Sequence, residues 1–349
     1  MPLVPIPDAT GGWVGESKQK EEEKMKDNIT IRTLRRDDFA AVAELLDAAD
    51  AVDHQDRVAT VDDLERDWTW PGYQGDSDTF VALDGDQLVG YCEQFLRKPD
   101  GAGETTFYTW GAVHPAWRRQ GIGRALFEAS LGRAYERMPE APEGPVHFHS
   151  SGSDVEPDRH ALFAVLGMAP VRTYVKMVRQ IDGELPPVDL PAGYRLRPMD
   201  PERDAEAVWK VDVAAFRDHW GFVAFGLDEF QKWMERPSFR PELWILAEDE
   251  STGQAVGIGL STIDPDWIEH SGRQEGWVNT LAVLREHRHR GLGGALLVHS
   301  MHLLRQEGMQ YATLGADSEN LTGAVRLYER LGFQVQKVQI AYRRTIRER

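Results

Sequence analysis

Two stretches of this chain carry the same arrangement of arginine and glycine ahead of an expected helix. Arg288-His289-Arg290-Gly291-Leu292-Gly293-Gly294 and Arg118-Arg119-Gln120-Gly121-Ile122-Gly123 both read Arg-x-x-Gly-x-Gly, and Gly291 lies 170 residues after Gly121. Glycines at a helix start let main-chain N–H groups come close to an anion, and the aligned peptide dipoles add roughly half a positive charge there. The chemistry such a mouth supports is the cradling of a diphosphate. Spacing separates it from two other phosphate loops: a dinucleotide fingerprint needs a third glycine where Leu296 and Leu126 stand, and a P-loop needs Gly-Lys-Ser/Thr, which neither copy has.

A strand must deliver each cradle and a helix must follow it. Val113 and Leu281-Ala282-Val283 end the expected strands, and Leu292, Leu296, Leu297, Met301 and Leu304 recur at helical spacing after the second cradle. Earlier segments also repeat. Ile29-Thr30-Ile31-Arg32 and Tyr194-Arg195-Leu196-Arg197 open the two copies as alternating strands. A hairpin follows in each, Thr79–Leu83 with Leu88–Tyr91 in the first and Leu243–Ala247 with Ala255–Ile258 in the second. A repeat this long is a whole domain, so the pattern predicts duplication rather than a solenoid. Residues 1–28 read as a flexible tail, 29–180 as an N-terminal domain, the Pro-rich stretch 181–193 as a linker and 194–349 as a C-terminal domain.

Taken together, the cradles and one further run resemble the GNAT acyltransferase superfamily, whose (Arg/Gln)-x-x-Gly-x-(Gly/Ala) motif binds the pyrophosphate of acetyl-coenzyme A. Tyr311–Ala316 reads as a strand, followed by Asn320, Ala324, Tyr328 and a closing Gly332-Phe333, which is similar to the family's C-terminal signature. The tandem arrangement over most of residues 29–345 resembles the mycothiol synthase group. The resemblance implies an α/β (α+β) fold of two tandem GNAT domains, each a mixed, mostly antiparallel central sheet flanked by helices. It implies acetyl-CoA as co-substrate, no metal, and direct transfer of acetyl to a primary amine in a ternary complex without a covalent intermediate. It also implies cofactor contacts from Leu281, Ala282, Val283, Arg288, His289, Arg290, Gly291, Leu292, Gly293, Gly294 and Asn320. Tyr328 is then the proton donor to the departing sulfur, and Glu275, the nearest carboxylate on the fourth strand, the base. Glu275 stands two residues before the aligned place, which Trp277 occupies; two residues keep the strand face but shift the group by about 6.6 Å, so a bridging water is needed.

The two copies are not equal. Aligning the run at Leu327-Tyr328 with Leu162-Phe163 puts Phe163 in the tyrosine slot and Val155 opposite Asn320. Phenylalanine has no proton to give. The expectation is a catalytic C-terminal copy and an N-terminal copy that does not catalyse, with Val113, Arg118, Arg119, Gly121 and Gly123 as its candidate coenzyme contacts.

Composition bounds the rest. At 349 residues, 41% hydrophobic and 28% charged, the chain has room for two globular domains. It has no apolar run long enough to span a bilayer and only one cysteine, Cys92, so a cytoplasmic location without disulfides or a Cys-based zinc site is expected. A net charge of −17 disfavours nucleic acid and leans toward a cationic small-molecule amine as acceptor. His147 with His149, and His287 with His289, lack a third metal ligand in the sequence. Phe216, His219, Trp220 and Phe222 either line an acceptor pocket or belong to the core. The expected assembly is a monomer or homodimer. The alternative function is a coenzyme A-binding sensor or scaffold in which neither copy turns over.

Overall fold

A computed structural model describes residues 28–56, 58–70, 73–99, 103–319 and 323–349; all but the last residue of the expected tail lies outside them, as does Asn320. The N-terminal half runs β1 (Ile29–Thr33), α1 (Phe39–Asp53), α2 (Val61–Asp67), α3 (Gly75–Asp78), β2 (Thr79–Asp84), β3 (Gln87–Arg97) and β4 (Thr105–Val113). It continues through α4 (Ile122–Glu136), β5 (Val146–Ser153), α5 (Pro157–Val165) and β6 (Ala169–Gln180). The C-terminal half follows the same plan: β7 (Tyr194–Pro198), α6 (Pro201–Phe216), α7 (Leu227–Met234), β8 (Trp244–Asp249), β9 (Ala255–Ile263), α8 (Pro265–Ser271) and β10 (Glu275–Val283). Then come α9 (Leu292–Gln306), β11 (Tyr311–Asp317), α10 (Ala324–Arg330) and β12 (Gln334–Arg347).

Local chemistry explains the element starts. The first hairpin turns on Gly85 at φ 60°, which lets Asp84 pair with Gln87 across a two-residue turn. Helix α6 begins where the Asp200 carboxylate accepts from the amides of Glu202 and Arg203, with Pro201 at the first helical position.

All twelve strands join one sheet in the order β1-β2-β3-β4-β5-β12-β6-β11-β10-β9-β8-β7. Its centre is an exchange: β12, the last strand of the second half, lies antiparallel to β5 of the first, while β6 lies antiparallel to β11 of the second. The two exchanged strands also pair with each other. Pairing is antiparallel throughout except for two short parallel contacts, β4 with β5 and β10 with β11. The segment between the halves is fastened to α9, since the Gly183 carbonyl accepts from Arg305 and the Pro186 carbonyl from His302.

The exchange makes each half incomplete alone. A chain truncated before Gln334 leaves β5 and β6 without a shared neighbour and strips Ala341, 1% exposed, from the interior. The expected outcome is loss of cooperative unfolding of the N-terminal half, read by hydrogen exchange of β5 amides; unchanged protection would show that β12 is dispensable.

Among the described residues no helix is long and apolar enough to cross a membrane, and no cluster of three or more His, Cys, Asp or Glu could hold a metal ion.

Candidate active site

The two cradles have nearly the same geometry. Each strand passes through a single 3-10 turn, Pro115–Trp117 or Arg285–His287, into a glycine in the left-handed region, Gly121 at φ 77° or Gly291 at φ 91°. The residue two before each glycine, Arg119 at φ 62° and His289 at φ 60°, is also left-handed, which is uncommon for a side chain with a Cβ. Neither helix has a side-chain cap, and the first intrahelical bonds run from Ala125 to Gly121 and from Ala295 to Gly291. The amides of Leu292, Gly293 and Gly294 therefore have no intrahelical acceptor, as do those of Ile122 and Gly123. That donor set fits a diphosphate.

The first arginine of each motif braces the loop. Arg288 Nε donates to the Val283 carbonyl at 2.9 Å and one of its terminal nitrogens to the Ala215 carbonyl at 2.8 Å. Arg118 Nε bonds Val113 in the same way at 3.1 Å, and its two terminal nitrogens grip Asp53 at 2.7 and 2.8 Å. Arg290 and His287 both meet the Tyr194 hydroxyl, at 3.0 and 2.9 Å, tying the second loop to β7. The diphosphate would meet main-chain amides more than these guanidiniums.

Beyond the cradle the sheet opens. The parallel contact of β10 with β11 ends at Trp277 opposite Thr313, and the strands part from there toward Val283. On its other side β10 slips register against β9 between Val278 and Thr280, leaving Asn279 as a bulge whose amide oxygen accepts from the Thr262 hydroxyl at 2.7 Å. The β3–β4 ladder in the first half has no such slip. Leu281, Ala282 and Val283 lie on this part of β10, past its last pairing with β11.

Helix α10 closes on the cradle from the far side of the cleft. A Cβ built on Gly293 or Gly294 would lie 3.8 or 3.7 Å from Leu327, so there is ordinary contact and little spare room. The next residue, Tyr328, is 7% exposed and packs against Phe333 with the rings tilted and their centroids 6.2 Å apart. Burial pushes its phenol up to about 12, so it keeps its proton throughout the neutral range. In the first half Leu162 contacts Gly123 in the same manner, and Phe163, fully buried, packs on Phe127 and Tyr342.

Glu275 sits at the closed end of the cleft, 1% exposed. One oxygen lies 3.0 Å from Lys176 Nζ and the other 2.7 Å from Arg273 Nε, although neither contact has the angles of a hydrogen bond. Lys176 is shared with Asp56 at 3.0 Å, and Lys337 reaches the same Asp56 at 2.8 Å, so Glu275 belongs to a charge network at the junction of the halves.

Sequence reasoning missed another carboxyl. Asp212 on α6 is 5% exposed, and burial alone raises it to about 7. Helix α6 packs on β9 and β10, and this buried carboxyl on it has a proton affinity suited to exchange near neutrality. A raised carboxyl favours the protonated fold: its stabilisation is complete below the unfolded value of 3.8 and disappears as pH rises through about 7. Asp212→Asn is expected to stabilise the protein above pH 7 by up to about 4 kcal/mol and to leave stability near pH 4 unchanged. Thermal denaturation across pH checks this; an equal effect at both pH values would sink it.

Of the aromatic residues near α6, Trp220 has the guanidinium groups of Arg172 and Arg343 over its ring, 5.8 and 4.6 Å from the centroid, and stands 6.3 Å from His149. A cavity of about 390 Å³ opens against the first half and is lined by Trp70, Tyr73, Phe95, Tyr108, Trp110 and His149 among others. It lies away from Tyr328. Cys92 is buried and its thiol pushed up to about 12, so it is no nucleophile.

Comparison with known proteins matches residues 205–333 to the Acetyltransferase (GNAT) family and residues 75–151 to an Acetyltransferase (GNAT) domain. The mycothiol acetyltransferase of Thermomonospora curvata is 34% identical over 77% of this chain and 82% of its own length. That of Streptomyces coelicolor is 30% identical over 90% of this chain and 94% of its own. The chain belongs to the GNAT acetyltransferase family. Among solved structures, a GCN5-related N-acetyltransferase from Sphaerobacter thermophilus superposes with a TM-score of 0.74 at 25% identity, covering 93% of this chain and 98% of that one. A tandem GNAT protein from the clavulanic acid biosynthesis pathway superposes at 0.66 with 18% identity over 91% and 98%, a likeness of fold. The tandem GNAT reading of the sequence is thereby met, as is its reading as an N-acetyltransferase; acetyl-CoA is the co-substrate of this family.

Proposed function

We propose that the C-terminal half moves the acetyl group of acetyl-CoA directly to the neutral primary amine of a small molecule, both substrates being held together. The observation that carries this reading is the pairing of cradle and phenol: Tyr328 is borne on the helix whose Leu327 touches the cradle glycines, whereas the first half has Phe163 there. Acetyl-CoA supplies the activated thioester. The amides of Leu292, Gly293 and Gly294 bind its diphosphate, and main-chain groups of Leu281–Val283 align the arm in the cleft. A main-chain N–H at the opened strand steadies the developing oxyanion, a contribution of roughly 3 kcal/mol.

Tyr328 holds its proton at the hydroxyl toward the leaving sulfur. With the phenol near 12 and a thiol near 8.5, full transfer is uphill by roughly 5 kcal/mol, so the proton is shared in the transition state. For the amine's proton two buried carboxyls support different routes: Glu275 through a bridging water, as the family resemblance implies, or Asp212 on the helix packed against the same strand. Glu275 is committed to Lys176 and Arg273, which favours Asp212 as the group free to exchange. The relatives' name, mycothiol acetyltransferase, supports an acceptor of mycothiol kind, and the net charge of −17 suits a cationic amine. The single buried Cys92 is in keeping with work in the cytoplasm.

The test is thiol release from acetyl-CoA with a panel of small amines that includes deacetylated mycothiol. Amine-dependent release is expected; coenzyme binding without turnover on any amine would leave a sensor or scaffold as the better account.

A further inference from the structure

The cleft that would receive the coenzyme's arm is present in both halves, but in the first it is filled by the protein itself. The parallel contact of β4 with β5 ends at Tyr108 opposite His149, and the strands then part as they do in the second half. Three residues further along each strand come Gly111 and Gly152, and one side chain reaches both. It belongs to Arg159, from the first turns of α5. Its stem runs flat against Gly152, where an added Cβ would come within 2.8 Å of Cδ and 3.3 Å of Cγ. Its guanidinium donates to the Gly111 carbonyl at 3.1 Å and stands 5.8 Å from the Trp110 ring.

The arginine is locked in place. Its Nε pairs with Glu156 at 2.8 Å, and the other Glu156 oxygen accepts from the Ser153 amide at 2.7 Å. His160 meets the Ser153 carbonyl at 2.8 Å. The side chains of Arg159 and Glu156 are only 12% and 9% exposed. One buried ion pair thus bonds the exposed edges of both strands, the positions where an extended amide-bearing arm would otherwise add itself as a strand. The second half differs at this point. Counting from the Phe163–Tyr328 alignment, the counterpart of Arg159 is Ala324, whose side chain ends at Cβ; counting from the Gly121–Gly291 alignment, the counterpart of Gly111 is Leu281.

We propose that the Arg159–Glu156 pair is an internal plug occupying the pantetheine path of the N-terminal half, so that the chain takes up one coenzyme A, in its C-terminal half, although both cradles persist. The plug blocks the arm, not the diphosphate mouth, because Gly121 and Gly123 keep the geometry of Gly291 and Gly293. The proposal rests on the reading that the second half binds acetyl-CoA.

Equilibrium dialysis of the full chain with coenzyme A tests it. The wild type is expected to bind one equivalent. Arg159→Ala/Glu156→Ala, which opens the path without stranding a buried carboxylate, is expected to bind two, the new site at least ten times tighter than any residual binding there in the wild type. Adding Gly123→Asp to that variant should abolish the gained site, and unchanged C-terminal turnover in all variants reports that the fold is intact. Two comparable sites in the wild type, no gain on opening, or a gained site that survives Gly123→Asp each overturn the plug. A gain from zero to one would instead uphold the plug and overturn the assignment of coenzyme binding to the second half.

Discussion

Tyr328→Phe is expected to lower kcat by about 10² to 10⁴ while leaving the Kd for acetyl-CoA nearly unchanged. The substitution removes one oxygen from a side chain that is 7% exposed, and Phe163 shows that the ring alone packs well at the corresponding place. What is lost is the phenol proton offered to the sulfur, so the departing thiolate must leave uncompensated or wait for water. Because burial holds the phenol near 12, the wild-type rate should show no alkaline loss attributable to this group below about pH 10. Phe163→Tyr in the first half should alter turnover little. Stopped thiol-release assays with parallel binding measurements decide the matter; equal kcat for Tyr328→Phe and wild type would remove the tyrosine from the reaction.

Gly293→Asp is expected to weaken acetyl-CoA binding by two to three powers of ten without unfolding the protein. A Cβ at this position meets Leu327 and Val283 at 3.8 and 3.9 Å, which is ordinary contact, so the backbone can accept it. The added carboxylate, however, sits among the amides meant for a diphosphate. Two like charges about 4 Å apart at an effective dielectric near 20 repel by about 4 kcal/mol, and part of that is relieved by movement and counterions. Gly123→Asp, the same change in the first half, should leave turnover intact. Calorimetric titration with coenzyme A distinguishes the two, and a Gly293→Asp protein that binds normally would show that the cradle is only a tight turn.

How much of this was legible beforehand divides along the line between local and distant interactions. The paired hairpins, both cradles, the helix after each and the Tyr328–Phe163 contrast all lie within short stretches whose spacing alone encodes them. The exchange of β6 and β12 does not, because each strand reads as an ordinary alternating segment and its partners sit in the other repeat. The same reason hid Lys176, which reaches Glu275 from a strand of the other half and turns an expected base into a member of a charge network. Arg159 carries no local signal, since only Gly111 and Gly152 on two other strands reveal that its stem has a slot. The Asn279 bulge likewise has no signal in one strand read alone; it appears only against the register of β9.

The central exchange also constrains how the molecule is made. Gln334 is synthesised 181 residues after Ser153, so at ordinary translation speeds of about 5–20 residues per second the free edge of β5 waits roughly 10–35 s for its neighbour. During that interval the nascent first half carries an open row of hydrogen-bonding groups beside its apolar interior, a surface that another ribosome's product could claim. Completion of both halves becomes a single event that waits for β12, so no competent first half precedes the second.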